Sequence, residues 1–159
     1  MRLFVDSSVF LKLLLDEPNA DKAQEILEMI EENKVIGYIT PMILEEISFK
    51  LIYAKASEIL GTKNIWKIRK ALKLDEKIRN ECVKVLKSFY NYIEYLLMRG
   101  LRVEYITYND WCNAINIIEE YGLLPVDAIH VAIALRIKAN ALASFDEDFR
   151  VVREIKVIP

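Results

Sequence analysis

Short apolar runs alternate along the chain with longer stretches whose apolar positions recur every three or four residues. Arg2-Leu-Phe-Val-Asp6 is an apolar run ending in a carboxylate and predicts a buried strand. Ser7 or Ser8 is placed to cap a helix over Val9–Leu15, and Pro18 marks a break after it. Ala23, Ile26, Leu27 and Ile30 share one face of a helix that starts at Asn19 or Asp21 and runs to Glu32. Val35-Ile-Gly-Tyr-Ile39 predicts a second strand. Thr40-Pro41 then opens a helix, with Thr as cap and Pro in its first turn, and Gly61 stops it after Leu60.

A stretch from Thr62 to Leu74 carries only basic charges and precedes a long helix over Asp75–Met98, which Gly100 ends. Arg102–Thr107 predicts a third strand, and Asn109 or Asp110 caps a helix to Tyr121. Gly122 and Pro125 frame a turn. Val126–Ala139 is apolar nearly all round and predicts a buried helix. Ala141–Phe145 predicts a fourth strand, Asp148–Arg153 a turn or short helix, and Ile155–Ile158 a last strand. The strands are continuous apolar runs rather than alternations, which indicates a mostly parallel sheet covered on both faces. The expected fold class is α/β, as one domain over residues 1–159 with a helical insertion or extension over residues 61–99.

The 159 residues fit one domain able to bury a core without disulfides or structural metal. A composition 53% hydrophobic and 29% charged excludes a disordered chain. Cys82 and Cys112 have no CxxC spacing and no histidines near them, so they read as reduced, half-buried residues rather than zinc ligands. The apolar stretch Leu3–Leu15 is interrupted by Asp6 and Lys12 and ended by Asp16 and Glu17. It is too short and too charged for a membrane span or signal peptide, and a cytoplasmic protein is expected. A net charge of −2 gives no overall pull on nucleic acid, so such binding needs a local basic patch or a bound cation.

Open parallel sheets bind ligands beyond the carboxyl ends of their strands, and Asp6 and Asp146 stand there. Each has a purely structural alternative as a cap of the next helix or turn. On the helix after Thr40, Glu46 lies roughly 100° from the centre of the apolar face and Glu45 roughly 160°. Glu46 therefore borders the core and Glu45 points to water, although a glutamate in an early helical turn is also favoured by the dipole alone. Asp127 opens the most apolar helix, where a carboxylate is costly unless it caps, pairs or meets a cation. His130, the only histidine, reads as a satisfied core residue. Carboxylates converging at one sheet end repel, and a hard cation such as Mg²⁺ relieves that repulsion. No Gly-rich phosphate loop, nucleophile elbow or zinc motif competes, so metal-assisted phosphodiester hydrolysis fits.

At these residues the chain resembles the PIN-domain ribonucleases. Leu3-Phe-Val-Asp-Ser-Ser-Val9 looks like their opening strand and aspartate. Thr40-Pro-Met-Ile-Leu-Glu-Glu-Ile47 resembles the second motif, whose glutamate stands six residues after a Ser or Thr, selecting Glu46. Leu124-Pro-Val-Asp-Ala-Ile-His-Val-Ala132 is similar to the third, and Leu142-Ala-Ser-Phe-Asp-Glu-Asp-Phe149 to the fourth. The resemblance implies a single Rossmann-like three-layer α/β/α fold with a central sheet of four or five strands, here with an extended middle helical region. It also implies a Mg²⁺ or Mn²⁺ site and endonucleolytic cleavage of RNA.

By that resemblance Asp6, Asp127 and Asp146 are the main metal ligands, with Glu46 completing the cluster directly or through water. Asp148 assists, and Ser7 and Ser144 contact the metal shell or phosphate. Many small prokaryotic members are toxins of VapBC-type toxin–antitoxin pairs, commonly homodimers held inactive by an antitoxin. A housekeeping RNA-processing nuclease and a non-catalytic PIN-like module binding RNA or protein are the alternatives. A haloacid-dehalogenase phosphatase is disfavoured because Ser8 stands where its second aspartate would be. Lys63, Lys67, Arg69, Lys70 and Lys73 with Trp66 form a candidate RNA clamp. The competing reading is a solvated helix face with Trp66 packed inward.

Overall fold

A computed structural model describes residues 1–159. Strands β1 (Arg2–Val5), β2 (Ile36–Ile39), β3 (Leu101–Val103), β4 (Ala141–Ala143) and β5 (Val157–Ile158) form one sheet in the order β3-β2-β1-β4-β5. Every neighbouring pair is parallel, as the continuous apolar runs predicted. Phe4, on the central strand, pairs with Tyr38 on one side and Leu142 on the other. The chain builds outward from β1 to β3 and then returns to β4 on the opposite side of β1. Strand order therefore reverses between β1 and β4, where an open α/β sheet leaves a crevice at its carboxyl edge.

The helices are α1 (Ser7–Leu14), α2 (Ala20–Glu31), α3 (Pro41–Leu60), α4 (Ile65–Leu74), α5 (Glu76–Leu97), α6 (Tyr108–Tyr121) and α7 (Pro125–Arg136). With the right-handed crossovers that parallel strands require, this strand order puts the α1–α5 connections on one face of the sheet and the returning pair α6 and α7, which pack on each other, on the other. The main core takes in Leu3–Val5 of β1, Phe89, Ile93 and Leu96 of α5, and Ala128, Ile129, Val131, Ile133 and Ala134 of α7. Gly100 permits the turn into β3, because a Cβ there would lie 2.6 Å from the Val35 carbonyl oxygen and 2.8 Å from that of Ile30. A separate small cluster, Ala56, Ile68, Ile78 and Cys82, pins α4 against α3 and α5. Cys82 is buried and Cys112 exposed, rather than both half-buried. No helix is long and apolar enough to cross a membrane.

Several element ends differ from the sequence reading, each for a local reason. Asp6, not Ser7 or Ser8, caps α1 by accepting from the Ser8 amide. The basic stretch contains its own helix: Asn64 caps α4, and Asp75 ends it and caps α5. β3 stops at Val103 instead of Thr107: the Glu104 amide still bonds the Ile39 carbonyl of β2 at 2.8 Å, but the next carbonyl, that of Tyr105, accepts from Arg136 instead of a strand. α7 ends at Arg136 rather than Ala139, and Lys138 takes a left-handed φ of 54°.

Thr107, not Asn109 or Asp110, caps α6, and Asp110 closes a capping box by accepting from the Thr107 amide at 2.8 Å. Asp110 is fully buried and also accepts from Arg136 Nε at 2.8 Å. Burial alone would raise its pKa, but Arg136 and Thr107 outweigh it and hold the carboxyl below its ordinary value. Arg136→Met leaves that buried carboxylate without its cation. We expect a loss of about 2 kcal/mol, discounted for the exposure of Arg136. Urea unfolding measures it; an unchanged midpoint would contradict the assignment.

Candidate active site at the strand reversal

Asp6 leaves the end of β1 at the reversal point, where its amide still bonds the Ala143 carbonyl of β4 at 3.0 Å. The carboxylate is buried. Its Oδ2 accepts from the Ser8 amide (3.1 Å), the Ser8 hydroxyl (2.6 Å) and the Ser144 hydroxyl (2.9 Å). Each hydroxyl carries one proton, so both are directed at Asp6. Their oxygens in turn accept from the amides of Phe145 and Asp146, each at 3.0 Å. This knot ties the start of α1 to the turn after β4. It also fixes Asp6 with its Oδ1 free of any hydrogen bond. Ser8 is a site residue the sequence reading left out; only its position two residues after a capping aspartate signalled it.

Asp146 follows on the same turn and is exposed, with Oδ1 accepting from the Asp148 amide at 2.9 Å. The capping alternatives for Asp6 and Asp146 are thus real geometry, and they orient the carboxylates rather than compete with a site. Asp127 is different. Leu124 occupies the cap position of α7 and makes no side-chain cap bond, so Asp127 in the first turn is not a cap. It accepts no hydrogen bond and pairs with no cation. Burial is the main cause that pushes its carboxyl up to about 6, and Asp146, Asp6, Glu46 and Asp148 push the same way. The four motifs therefore meet electrostatically at one place.

Glu46 is half-buried and Glu45 exposed, as the helical angles predicted. Burial would raise Glu46. Lys50, one turn on at 2.6 Å, and the nearby Ser7 hydroxyl outweigh it and hold the carboxyl below its ordinary value. Ser7 is buried beside Glu46, whereas Ser144 belongs to the Asp6 knot. His130 lies beneath, buried as expected but not satisfied: Nε2 is 3.4 Å from Thr40 Oγ1 and the ring 5.6 Å from that of Phe4, while the buried Nδ1 meets no hydrogen-bond partner. Burial pushes its imidazole down, against the pull of Asp6 and Glu46.

Two clefts flank the cluster. One, of 630 Å³, is lined by Glu46 and Asp127 with Met42, Leu124 and Val126. The other, of 500 Å³, is lined by Ser8, Lys12, Lys50, Phe145 and Asp146. The donors are hard carboxylate oxygens, and one of them lies half-buried without a partner, a set that suits Mg²⁺ or Mn²⁺. No three of these side chains stand at ligand spacing around one point, so they gather without closing a coordination sphere. The basic residues of α4 line neither cleft. Trp66 is 71% exposed, which rules out its packing inward.

A model of the PIN domain family matches residues 3–155. The chain is 28% identical over 160 residues to Ribonuclease VapC6 of Methanocaldococcus jannaschii, covering 98% of this chain and 95% of that protein. Its fold is similar to VapBC2 of Rickettsia felis bound to a promoter DNA fragment, with a TM-score of 0.60, 13% identity and coverage of 99% and 98%. It is also similar to Mycobacterium tuberculosis VapC20, a sarcin–ricin loop cleaving toxin, with a TM-score of 0.58, 17% identity and 99% coverage of each chain.

The raised pKa of Asp127 sets a pH dependence. The folded metal-free protein holds this proton up to about pH 6, whereas an unfolded aspartate loses it near its ordinary value of 3.8. The folded state therefore binds more protons between those values, and its stability falls as pH rises through them. Asp127→Asn removes the penalty. We expect the variant to exceed wild type by on the order of 1 kcal/mol at pH 7, after discounting for solvent screening, and to lose that advantage below pH 4. Urea midpoints across this range test it; a destabilisation independent of pH would contradict it.

Proposed function

From the PIN domain family, to which this chain belongs on a match spanning residues 3–155, we propose a metal-dependent endoribonuclease that hydrolyses RNA phosphodiester bonds. The observation that carries the reading is the carboxylate cluster at the strand reversal, with Asp127 half-buried, unpartnered and surrounded by Asp6, Glu46 and Asp146. A stable fold without a cation in view would be expected to pair or neutralise such a residue. The ribonuclease name of the M. jannaschii relative supports the substrate class.

Asp6, Asp127 and Asp146 would hold the cation, with Glu46 joining directly or through water and Asp148 assisting. Bound there, Mg²⁺ or Mn²⁺ would supply an activated water and neutralise charge on the phosphate. The chain's own residues prepare that chemistry. Ser8 and Ser144 hold Asp6 by one oxygen and leave the other to the ligand. The turn at Asp148 fixes Asp146 in the same way. Lys50 balances Glu46 and lines the cleft beside Asp146, where a phosphate would arrive. Ser7 and Ser144 are close enough to the carboxylates to help order that shell.

The biological setting that the relatives support is a VapBC-type toxin–antitoxin pair, with this chain as the toxin and an antitoxin as partner; a homodimer is what the family resemblance alone implies. The activity itself is tested with a mixed structured RNA pool in Mg²⁺, Mn²⁺ or EDTA. Wild type should cut only with metal, and Asp6→Asn and Asp146→Asn should lose more than about 100-fold. Cutting that persists in EDTA, or in both variants, would overturn the mechanism.

A further inference from the structure

The chain's net charge of −2 conceals a strong separation. Lys63, Lys67, Arg69, Lys70 and Lys73 carry five positive charges with no acid among them, leaving −7 on the remaining residues. All five are exposed, and none takes part in an ion pair. Four of them stand on α4 and Lys63 just before it, and cations grouped so closely make a local positive field.

The helix that carries them is held at both ends. Asn64 accepts from the Trp66 and Lys67 amides at 3.0 and 3.1 Å. The Tyr53 hydroxyl donates to the Lys63 carbonyl, and Arg79 donates to the Leu72 and Lys73 carbonyls at 3.0 and 3.3 Å. Ile68 plugs the small core beneath. Trp66, Lys70 and Lys73, spaced by four and three residues, then form one outward stripe. Trp66 is 71% exposed, and the Arg69 guanidinium sits 5.4 Å from its ring centre. A hollow of 340 Å³ is lined by Trp66, Arg69, Lys70, Lys73 and Leu74. A large aromatic left in water on an otherwise well-anchored helix gains nothing for folding.

The stripe also connects with the carboxylate cluster. Glu46, Phe49 and Tyr53 share one face of α3, and about 10 Å of helix axis separates the first from the last. Phe49 is 52% exposed and stacks on Tyr53 at 6.2 Å between ring centres. Phe49, Tyr53, Ile65 and Arg69 line a groove of 370 Å³ between α3 and α4. Phe49 and Tyr53 thus set an aromatic strip on α3 between Glu46 and the groove beside the basic helix.

We propose that the outward face of α4 docks a single-stranded stretch of the substrate RNA, with one base on Trp66 and phosphates on Lys67, Lys70 and Lys73. The chemistry favours RNA over an acidic peptide: a polyanion with planar bases uses both the cations and the exposed ring. The proposal rests on the ribonuclease reading, so the experiment separates the two.

A labelled single-stranded RNA 12-mer is titrated by anisotropy, without metal, into Asp6→Asn and into the same protein carrying either Trp66→Ala or Lys67→Gln, Lys70→Gln and Lys73→Gln together. Trp66→Ala should weaken binding about tenfold. The triple lysine change should flatten the slope of log affinity against log salt by about 2. Thermal unfolding controls for fold. Affinities unchanged by both changes, alongside wild-type cutting, would overturn the docking surface and leave the nuclease reading standing. Binding lost in the α4 variants, with no cutting by wild type, would support the docking surface and count against the nuclease. Poly-glutamate bound through α4 more tightly than RNA would assign the face to a protein partner and overturn the proposal.

Discussion

Everything at the functional end of this protein depends on one buried carboxylate at the end of the central strand. Asp6 sits where the sheet reverses direction, over a core of Leu3, Phe4 and Val5. Such a group is costly in an apolar interior unless donors meet it. Ser8 and Ser144 meet it with three hydrogen bonds on one oxygen, and each serine is anchored by an amide of the turn after β4. The knot joins two strands that are adjacent in the sheet but far apart in sequence. It therefore fixes Asp6 and Asp146 relative to each other before any ligand arrives. α3 and α7 bring Glu46 and Asp127 to the same edge, and repulsion is left unresolved at Asp127.

Much of this was legible because parallel-sheet proteins write their layout in apolar runs. Five such runs became five strands, and the strand-end acids fell at the carboxyl edge. The helical angles separated Glu46 from Glu45 correctly, since both lie in regular α-helix, where the 100° rule holds. Asp127 was open between capping and a site. Leu124 takes the cap position instead, which no propensity rule favours, so tertiary placement decided it.

Other features were hidden for physical reasons. Asp110 looked like a cap because Asp is a good one, but its buried pairing with Arg136 depends on the packing of α6 on α7. The Thr107-x-x-Asp110 spacing was the only available signal. Ser8 was passed over for Ser7, because which hydroxyl turns toward Asp6 follows from the start of α1. The basic stretch was visible as composition, yet only the placement of Ile68 in its own small core shows that Trp66 must face outward. The carboxylates at the sheet edge and the acid-free group of cations on and beside α4 stand on different elements.

The central claim is that the carboxylate cluster is a cation site whose unresolved repulsion sits at Asp127. Calorimetric titration with Mn²⁺ at pH 6, in two buffers of different ionisation heat, tests it most directly. Because the Asp127 carboxyl is pushed up to about 6, the account predicts binding that releases about half a proton. Asp127→Asn should bind more weakly and release none. Absence of Mn²⁺ binding by wild type, or equal binding by the variant with no proton released by either, would contradict it.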